Sequence, residues 1–259
     1  MKQPIFFAGL GGTAIALGAI LSTTAFFAAP AHAGVKVYSP YVEKGEYEIE
    51  YRGYRTVDDD NTKNNKQVNK LALGYGVTDF WFTEIYAEWE RSPGGATEYE
   101  ATEWENRFQL TDRGEYWADL GFLVEYVLAA RSGSADKIEF GPLVTKDIGR
   151  TTNTANIIFE HEVGANRSSG TGLGYALETR WRLDPRFEPA IQAFGEFGDV
   201  DKFNTVDNQS HKIGPVLLGS FSLGSLPGKI GYDVGYLFGV TDGAEDGTVK
   251  AILEYEFRL

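Results

Sequence analysis

The sequence predicts an all-β protein, a transmembrane antiparallel up-and-down β-barrel of about 12 strands. Three observations predict it. About a dozen consecutive segments alternate apolar and polar residues, a cleavable-looking leader precedes them, and the chain closes on Leu253, Tyr255, Phe257 and Leu259 at alternate positions. A barrel wall in lipid must be apolar outside while its lumen can be charged, so the parity of a residue within its strand separates wall from candidate function.

The leader comes first. Residues 4–29 form an uncharged apolar run behind Lys2, and Ala31, His32 and Ala33 supply the small-x-small pattern that a signal peptidase accepts. The run is long enough to span a bilayer, so an uncleaved anchor is the competing reading. The small-residue site favours export, with a signal peptide over 1–33 and the barrel over 34–259. Cleavage leaves Gly34 first, on a mature chain of 226 residues with a formal charge of −14, because Lys2 departs with the leader. The absence of cysteine excludes a lipoprotein anchor, disulfides and thiolate chemistry. The acidic balance excludes a nucleic-acid partner, which needs a basic footprint. Mean hydropathy is only −0.27 because each strand devotes every second residue to the lumen.

Period-two reading places strands near 46–57, 66–77, 80–90, 97–110, 117–131 and 137–147, then near 154–164, 172–183, 187–198, 210–223, 228–240 and 247–259. The links alternate in character. Those beginning at Thr78, Thr111, Ile148, Asp184 and Gly224 are mostly tight, with Asp184-Pro185 and Pro227-Gly228 as breakers. The others, including 58–65, 166–171, 199–208 and 242–247, are longer and rich in Asp, Asn, Ser and Gly. The tight links are assigned to the periplasmic rim and the long ones to the cell exterior, which puts both termini in the periplasm.

Parity assigns the faces. In the fifth strand Ala118, Leu120, Phe122, Val124, Tyr126 and Leu128 share one side, opposite Asp119, Gly121 and Glu125. Leu173, Tyr175, Leu177 and Trp181 likewise oppose Glu178, Arg180 and Arg182, and Ile230, Tyr232, Val234, Tyr236 and Phe238 oppose Lys229 and Asp233. A helical period would scramble all three sets. Trp81, Trp181, Phe187, Tyr255 and Phe257 fall toward the tight-turn ends, and Trp89 and Tyr126 toward the other, as headgroup-depth aromatic girdles do. Phe80, Phe82 and Tyr86 have inward parity and could instead serve a lumenal aromatic path.

The predicted lumen is dense in charge. Its pore-lining candidates are Glu48, Glu50, Arg52, Glu84, Glu88, Glu103, Glu105, Arg107, Asp119, Glu125, Glu139, Glu160, Glu178, Arg180, Glu196, Asp233, Glu254, Glu256 and Arg258. Carboxylates outnumber bases, which favours cations in a conduit. Twelve strands about 4.8 Å apart and tilted about 40° give a backbone diameter of roughly 24 Å and a bore of order 10 Å. That size admits a narrow channel and equally a lumen closed by its own ion pairs. Closure sets the Glu46, Glu48, Glu50, Arg52 row beside the Lys250, Glu254, Glu256, Arg258 row, where alternating signs are expected to pin the seam. The stretch from Gly34 to Gly45 receives no assignment.

No catalytic residue, cofactor or metal site is predicted. Both histidines of the mature chain, His161 and His211, have outward parity, and residues two further on are Val163 and Ile213, not serine, so a likeness to lipid-facing phospholipases stops at parity. The Asp58-Asp59-Asp60-Asn61 run and Asp199, Asp201 and Asp207 lack the spacing and turn glycine of a Ca²⁺ loop and read as solvated acidic loops.

Through its leader, hairpin count and closing strand, the chain resembles Gram-negative outer-membrane β-barrel proteins. Around Glu103-Trp104-Glu105-Asn106-Arg107 and Phe140-Gly141-Pro142 it is similar to poorly characterised proteobacterial barrels labelled as transporters. The resemblance implies an outer-membrane location, contact with lipid, lipopolysaccharide and the barrel-assembly machinery, and passive movement of small hydrophilic solutes. The other reading is a closed barrel with a structural or surface-interaction role through its acidic loops.

Overall fold

The computed structural model describes residues 34–224 and 227–259, so the leader and its cleavage site lie outside the described residues. The strands are β1 (Tyr47–Val57), β2 (Gln67–Gly76), β3 (Trp81–Arg91), β4 (Thr97–Gln109), β5 (Asp119–Ala129), β6 (Asp136–Ile148) and β7 (Thr151–Val163). They continue as β8 (Thr171–Trp181), β9 (Glu188–Asp199), β10 (Lys202–Phe203), β11 (Ser210–Ser222), β12 (Lys229–Gly239) and β13 (Gly247–Phe257). All twelve predicted strands are present. The two-residue β10, which pairs with the end of β9, and a single 3-10 turn at Val206–Asn208 fall inside the predicted 199–208 loop.

Every long strand pairs antiparallel with its chain neighbours, β9 passes directly to β11, and β13 returns to β1 from Tyr47↔Phe257 to Val57↔Gly247. The ring of twelve therefore has no edge, and its backbone is paired mainly through the ladder, with side chains such as Thr111 and Asp136 accepting from Leu120 and Ala129 at the ends of β5, as a wall in hydrocarbon requires. Two-residue economy is clearest between β6 and β7, where Gly149 takes a positive φ of 57° that favours a residue without a Cβ.

The side-chain distribution is inverted relative to a water-soluble barrel. Leu71, Leu73, Ile85, Leu128, Ile191 and Leu253 project outward and stay exposed, whereas Glu50, Glu84, Glu105 and Lys250 are fully buried inside. An apolar exterior of this extent around a charged interior matches hydrocarbon as the outer solvent. Aromatics collect at both rims: Trp81 stacks with Phe108, and Tyr47 with Phe257, at the tight-turn end, while Trp89 meets Tyr99 at the long-loop end. Two parity assignments are corrected. Ala118, expected on the lipid side, is buried because β5 starts only at Asp119, and Phe80, given inward parity, is exposed in the turn before β3.

Candidate functional site

The predicted lumen residues all point away from the apolar exterior. Glu48, Glu50, Arg52, Glu84, Glu103, Glu105, Arg107, Asp119, Glu125, Glu160 and Glu178 are buried. Glu88, Glu139, Arg180, Glu196, Asp233, Glu254 and Glu256 are half-buried, and Arg258 is exposed at the tight-turn rim. Phe82 and Tyr86 keep their inward parity and are also buried.

Register turns a subset of these into a continuous feature. Glu84 lies directly opposite Glu105, Glu105 opposite Glu125, Glu125 opposite Glu139, and Glu139 opposite Glu160, across five successive strands. Because strands in a closed barrel are tilted, a line of directly opposed residues climbs the wall. It starts at the fourth residue of β3 from the tight-turn end and finishes at the fourth residue of β7 from the long-loop end. Cations line its flanks: Arg107 reaches Glu105 at 3.1 Å, Lys137 reaches Glu160 at 3.2 Å, and Lys70 bridges Glu103 at 2.6 Å and Glu88 at 2.9 Å. Like charges directly opposite are unfavourable in a ladder, so this ascent is a cost that flanking bases offset in part.

Residues 34–45 form a strap inside the barrel. Lys36 is buried, hydrogen-bonds Glu50 of β1 and lies 3.4 Å from Glu254 of β13. Two residues later Tyr38 donates its backbone N–H to the Asn156 side chain at 2.7 Å, and its carbonyl accepts from Asn156 Nδ2 at 2.9 Å. Asn156 belongs to β7, halfway round the ring from β1, so the strap crosses the lumen. Alternation suits each face of this strap to its wall. Val35 joins Ala176, Ala190, Phe194, Val216 and Leu237 in an apolar patch, with Val37 packed against it, while Lys36 meets the charged seam. Tyr38 packs on Leu123, Leu143 and Ile158 and accepts from Arg52 at 3.2 Å. Tyr41 donates to Asp119 at 2.5 Å, the Val42 N–H to Gln109 at 2.9 Å, and Glu43 pairs with Arg258.

Among the described residues the strap lines a cavity on each of its sides. One of about 730 Å³ opens toward the long loops and is lined by Lys70, Glu88, Glu125, Glu139 and strap residues Lys36 and Tyr38. The other, about 370 Å³, opens toward the tight turns between Glu46, Arg113, Arg180, Lys229 and Glu256. At that rim burial pushes the Glu46 carboxyl up to about 7, helped by the neighbouring Glu256 and Glu43.

The seam departs from expectation. The two predicted rows are neighbours, but Glu48 faces Glu256 and Glu50 faces Glu254, so carboxylate meets carboxylate and the alternating-sign pairing is absent. Compensating charge comes from Lys36 of the strap beside Glu50 and Glu254, from Arg52 beside Glu50 and from Lys229 beside Glu256, while Lys250 turns instead to Asp233 at 2.8 Å and Gln192 at 2.7 Å. Pairing follows parity and backbone bonding, and the ions settle afterwards. Lys36, Tyr38, Asn156 and Gln192 were all missed from the sequence. The one available signal was the short Val35-Lys36-Val37-Tyr38 alternation behind the leader.

Elsewhere the acidic loops are built from local turns, with Asp60 accepting from Thr62 and Asp58 from the N–H groups of Asp60 and Asp246. His161 bonds Gly170 and Thr171, and His211 bonds Tyr175 and Gln209. Among the described residues no helix is long and apolar enough to cross a membrane.

No family model matches this sequence, and no curated protein does. Solved structures do. The NanC porin in a rhombohedral crystal form superposes with a TM-score of 0.52 at 11% identity, over 82% of this chain and 100% of that one. A bacterial polysaccharide outer membrane secretin matches over 84% of this chain and 99% of its own, with a TM-score of 0.42 and 9% identity. Salmonella typhi OmpF in complex with daunomycin matches over 85% and 99%, with a TM-score of 0.36 and 8% identity. At such identities the likeness to the NanC porin is one of fold: the chain has a porin-like, closed antiparallel β-barrel fold.

Proposed function

We propose that this barrel is a passive channel for small hydrophilic solutes across an outer membrane, with a lumen that favours cations. The observation that carries the reading is the ascent of directly opposed carboxylates from Glu84 to Glu160, which offers a cation successive positions along the middle of the wall. Conduction needs sites strong enough to admit an ion and numerous enough to release it, and flanking Lys70, Arg107 and Lys137 temper the charge. In this reading both termini lie in the periplasm, the outer apolar belt meets lipid, the acidic loops meet lipopolysaccharide, and the closing Leu253, Tyr255, Phe257 face addresses the assembly machinery.

The reversal potential of the purified barrel in a planar bilayer, under a KCl gradient, tests it. A potential displaced toward the potassium equilibrium value is expected, moving toward zero in an E125Q/E139Q variant. Anion preference would remove the reading. The strap bridging the lumen favours a second one, a closed barrel acting through its surface loops. Its signature is the absence of steady current from the wild-type chain and from one lacking the strap.

A further inference from the structure

Beneath the strap, β1 and β3 hold three carboxylates close together, of which the conduit reading uses only Glu84, as the foot of its ascent. Glu48, Glu50 and Glu84 each offer an oxygen, and these oxygens lie within 4.8 Å of one another. Two oxygens bound to one Ca²⁺ at 2.3–2.6 Å lie up to about 5 Å apart, so a single ion of that size can touch all three. Their exposures are 7%, 0% and 1%, so water screens them little.

Hydrogen bonding leaves the cluster incomplete. Glu50 is satisfied by Lys36 and by Arg52 at 2.8 Å. Glu84 accepts from the Tyr86 hydroxyl at 2.5 Å through Oε2, but its Oε1 has no hydrogen-bond partner. Glu48 Oε1 is likewise unpartnered, and the Arg107 guanidinium stands 4.0 Å from Oε2. Two buried carboxylate oxygens without donors are an expensive feature unless a ligand completes them. The third and independent observation is the ammonium already seated here. Lys36 comes from outside the wall, and with Arg52 and Arg107 it pairs with four carboxylates, Glu48 and Glu50 of the cluster together with Glu105 and Glu254, while Glu84 has no ion pair among these bases.

We propose that Glu48, Glu50 and Glu84 form a site for a hard divalent cation such as Ca²⁺, and that the Lys36 ammonium is its internal competitor. Both need Glu50, and two cations cannot share it at contact distance without strong repulsion. Metal loading therefore opposes strap seating, and removal of the ammonium strengthens metal binding by the same coupling. The sequence hid this site because its ligands come from β1 and β3 and are brought together across Gly74 of β2, which faces both Glu48 and Glu84. The proposal stands whether or not the barrel conducts.

Binding of CaCl₂, followed by calorimetry and by competition with Tb³⁺ luminescence on the detergent-folded full barrel, tests it apart from any current. The K36M variant is expected to bind one Ca²⁺ at least tenfold more tightly than wild type, and E84Q in the K36M background to lose at least tenfold of that affinity. A loop variant, D59N, should change neither. Equal affinity of K36M and wild type, or indifference to E84Q, overturns the proposal. A measurement on the unmutated chain covers the case in which K36M does not fold. CaCl₂ should accelerate acetylation of Lys36 by an amine-reactive reagent, read by mass spectrometry, and an unchanged or slower rate overturns the competition.

Discussion

The wall and the strap are both extended chain with alternating side chains, yet they are held by different physics. In the wall each residue is fixed by a hydrogen-bonded neighbour strand, and its outer side chains by hydrocarbon. In the strap the backbone bonds its surroundings mostly through side chains, Asn156 for Tyr38 and Gln109 for Val42, and a single buried ammonium anchors it to the seam. A ladder is cooperative and cannot be removed piece by piece, whereas the strap rests on a few contacts, each of which can be deleted. A permanent wall and a removable strap across the lumen are therefore parts of the same chain.

The largest effect separating the two should come from the wall. Val124→Arg, on the outer face near the middle of β5, is expected to destabilise insertion by about 2–4 kcal/mol, measured by folding into lipid vesicles. Glu125→Gln, one residue away on the inner face, should cost far less, and equal costs would break the assignment of faces.

A smaller effect is expected at the strap anchor. Asn156→Ala leaves the Tyr38 N–H and carbonyl without partners and should weaken strap seating by about 1–3 kcal/mol while the barrel stays folded. Hydrogen exchange confined to residues 35–42 is the readout. Global loss of protection would mean that strap and wall are one cooperative unit.

The rim responds to pH. Because the Glu46 carboxyl is held up to about 7 against an ordinary 4.5, the fold favours its neutral form, and that contribution to stability is fully present below about 4.5 and lost as pH rises from there through about 7. Negative charge appears at the tight-turn mouth over the same interval, so cation preference should rise with pH there, and Glu46→Gln should abolish the step. The least effect is expected at Arg186, whose guanidinium pairs with Asp184 in a fully exposed turn and draws that carboxyl down to about 2. Arg186→Ala should leave thermal unfolding unchanged, because solvent screens an exposed pair.

The wall was legible because lipid enforces parity residue by residue. Leu120 and Glu125 declare their faces without reference to any partner strand. What parity cannot supply is register. The opposition of Glu105 to Glu125 and of Glu125 to Glu139 depends on strand ends and turn geometry that composition leaves open by a few residues, so the carboxylates were named but their ascent was not. Charge order misled at the seam for a related reason. Glu50 faces Glu254, an unfavourable pairing in isolation, tolerated because Lys36 arrives from a segment with no ladder of its own. Asn156 reads as an ordinary inward polar residue until the Tyr38 backbone is placed against it.

The most direct measurement is the single-channel conductance of the barrel with and without residues 36–42, each first shown to be folded by its heat-modifiable electrophoretic mobility. A severalfold larger current is expected from the shortened chain, with cation preference retained because the carboxylates of β3 to β7 stay in place. Equal currents from the two chains, or an anion preference once the strap is gone, would contradict it.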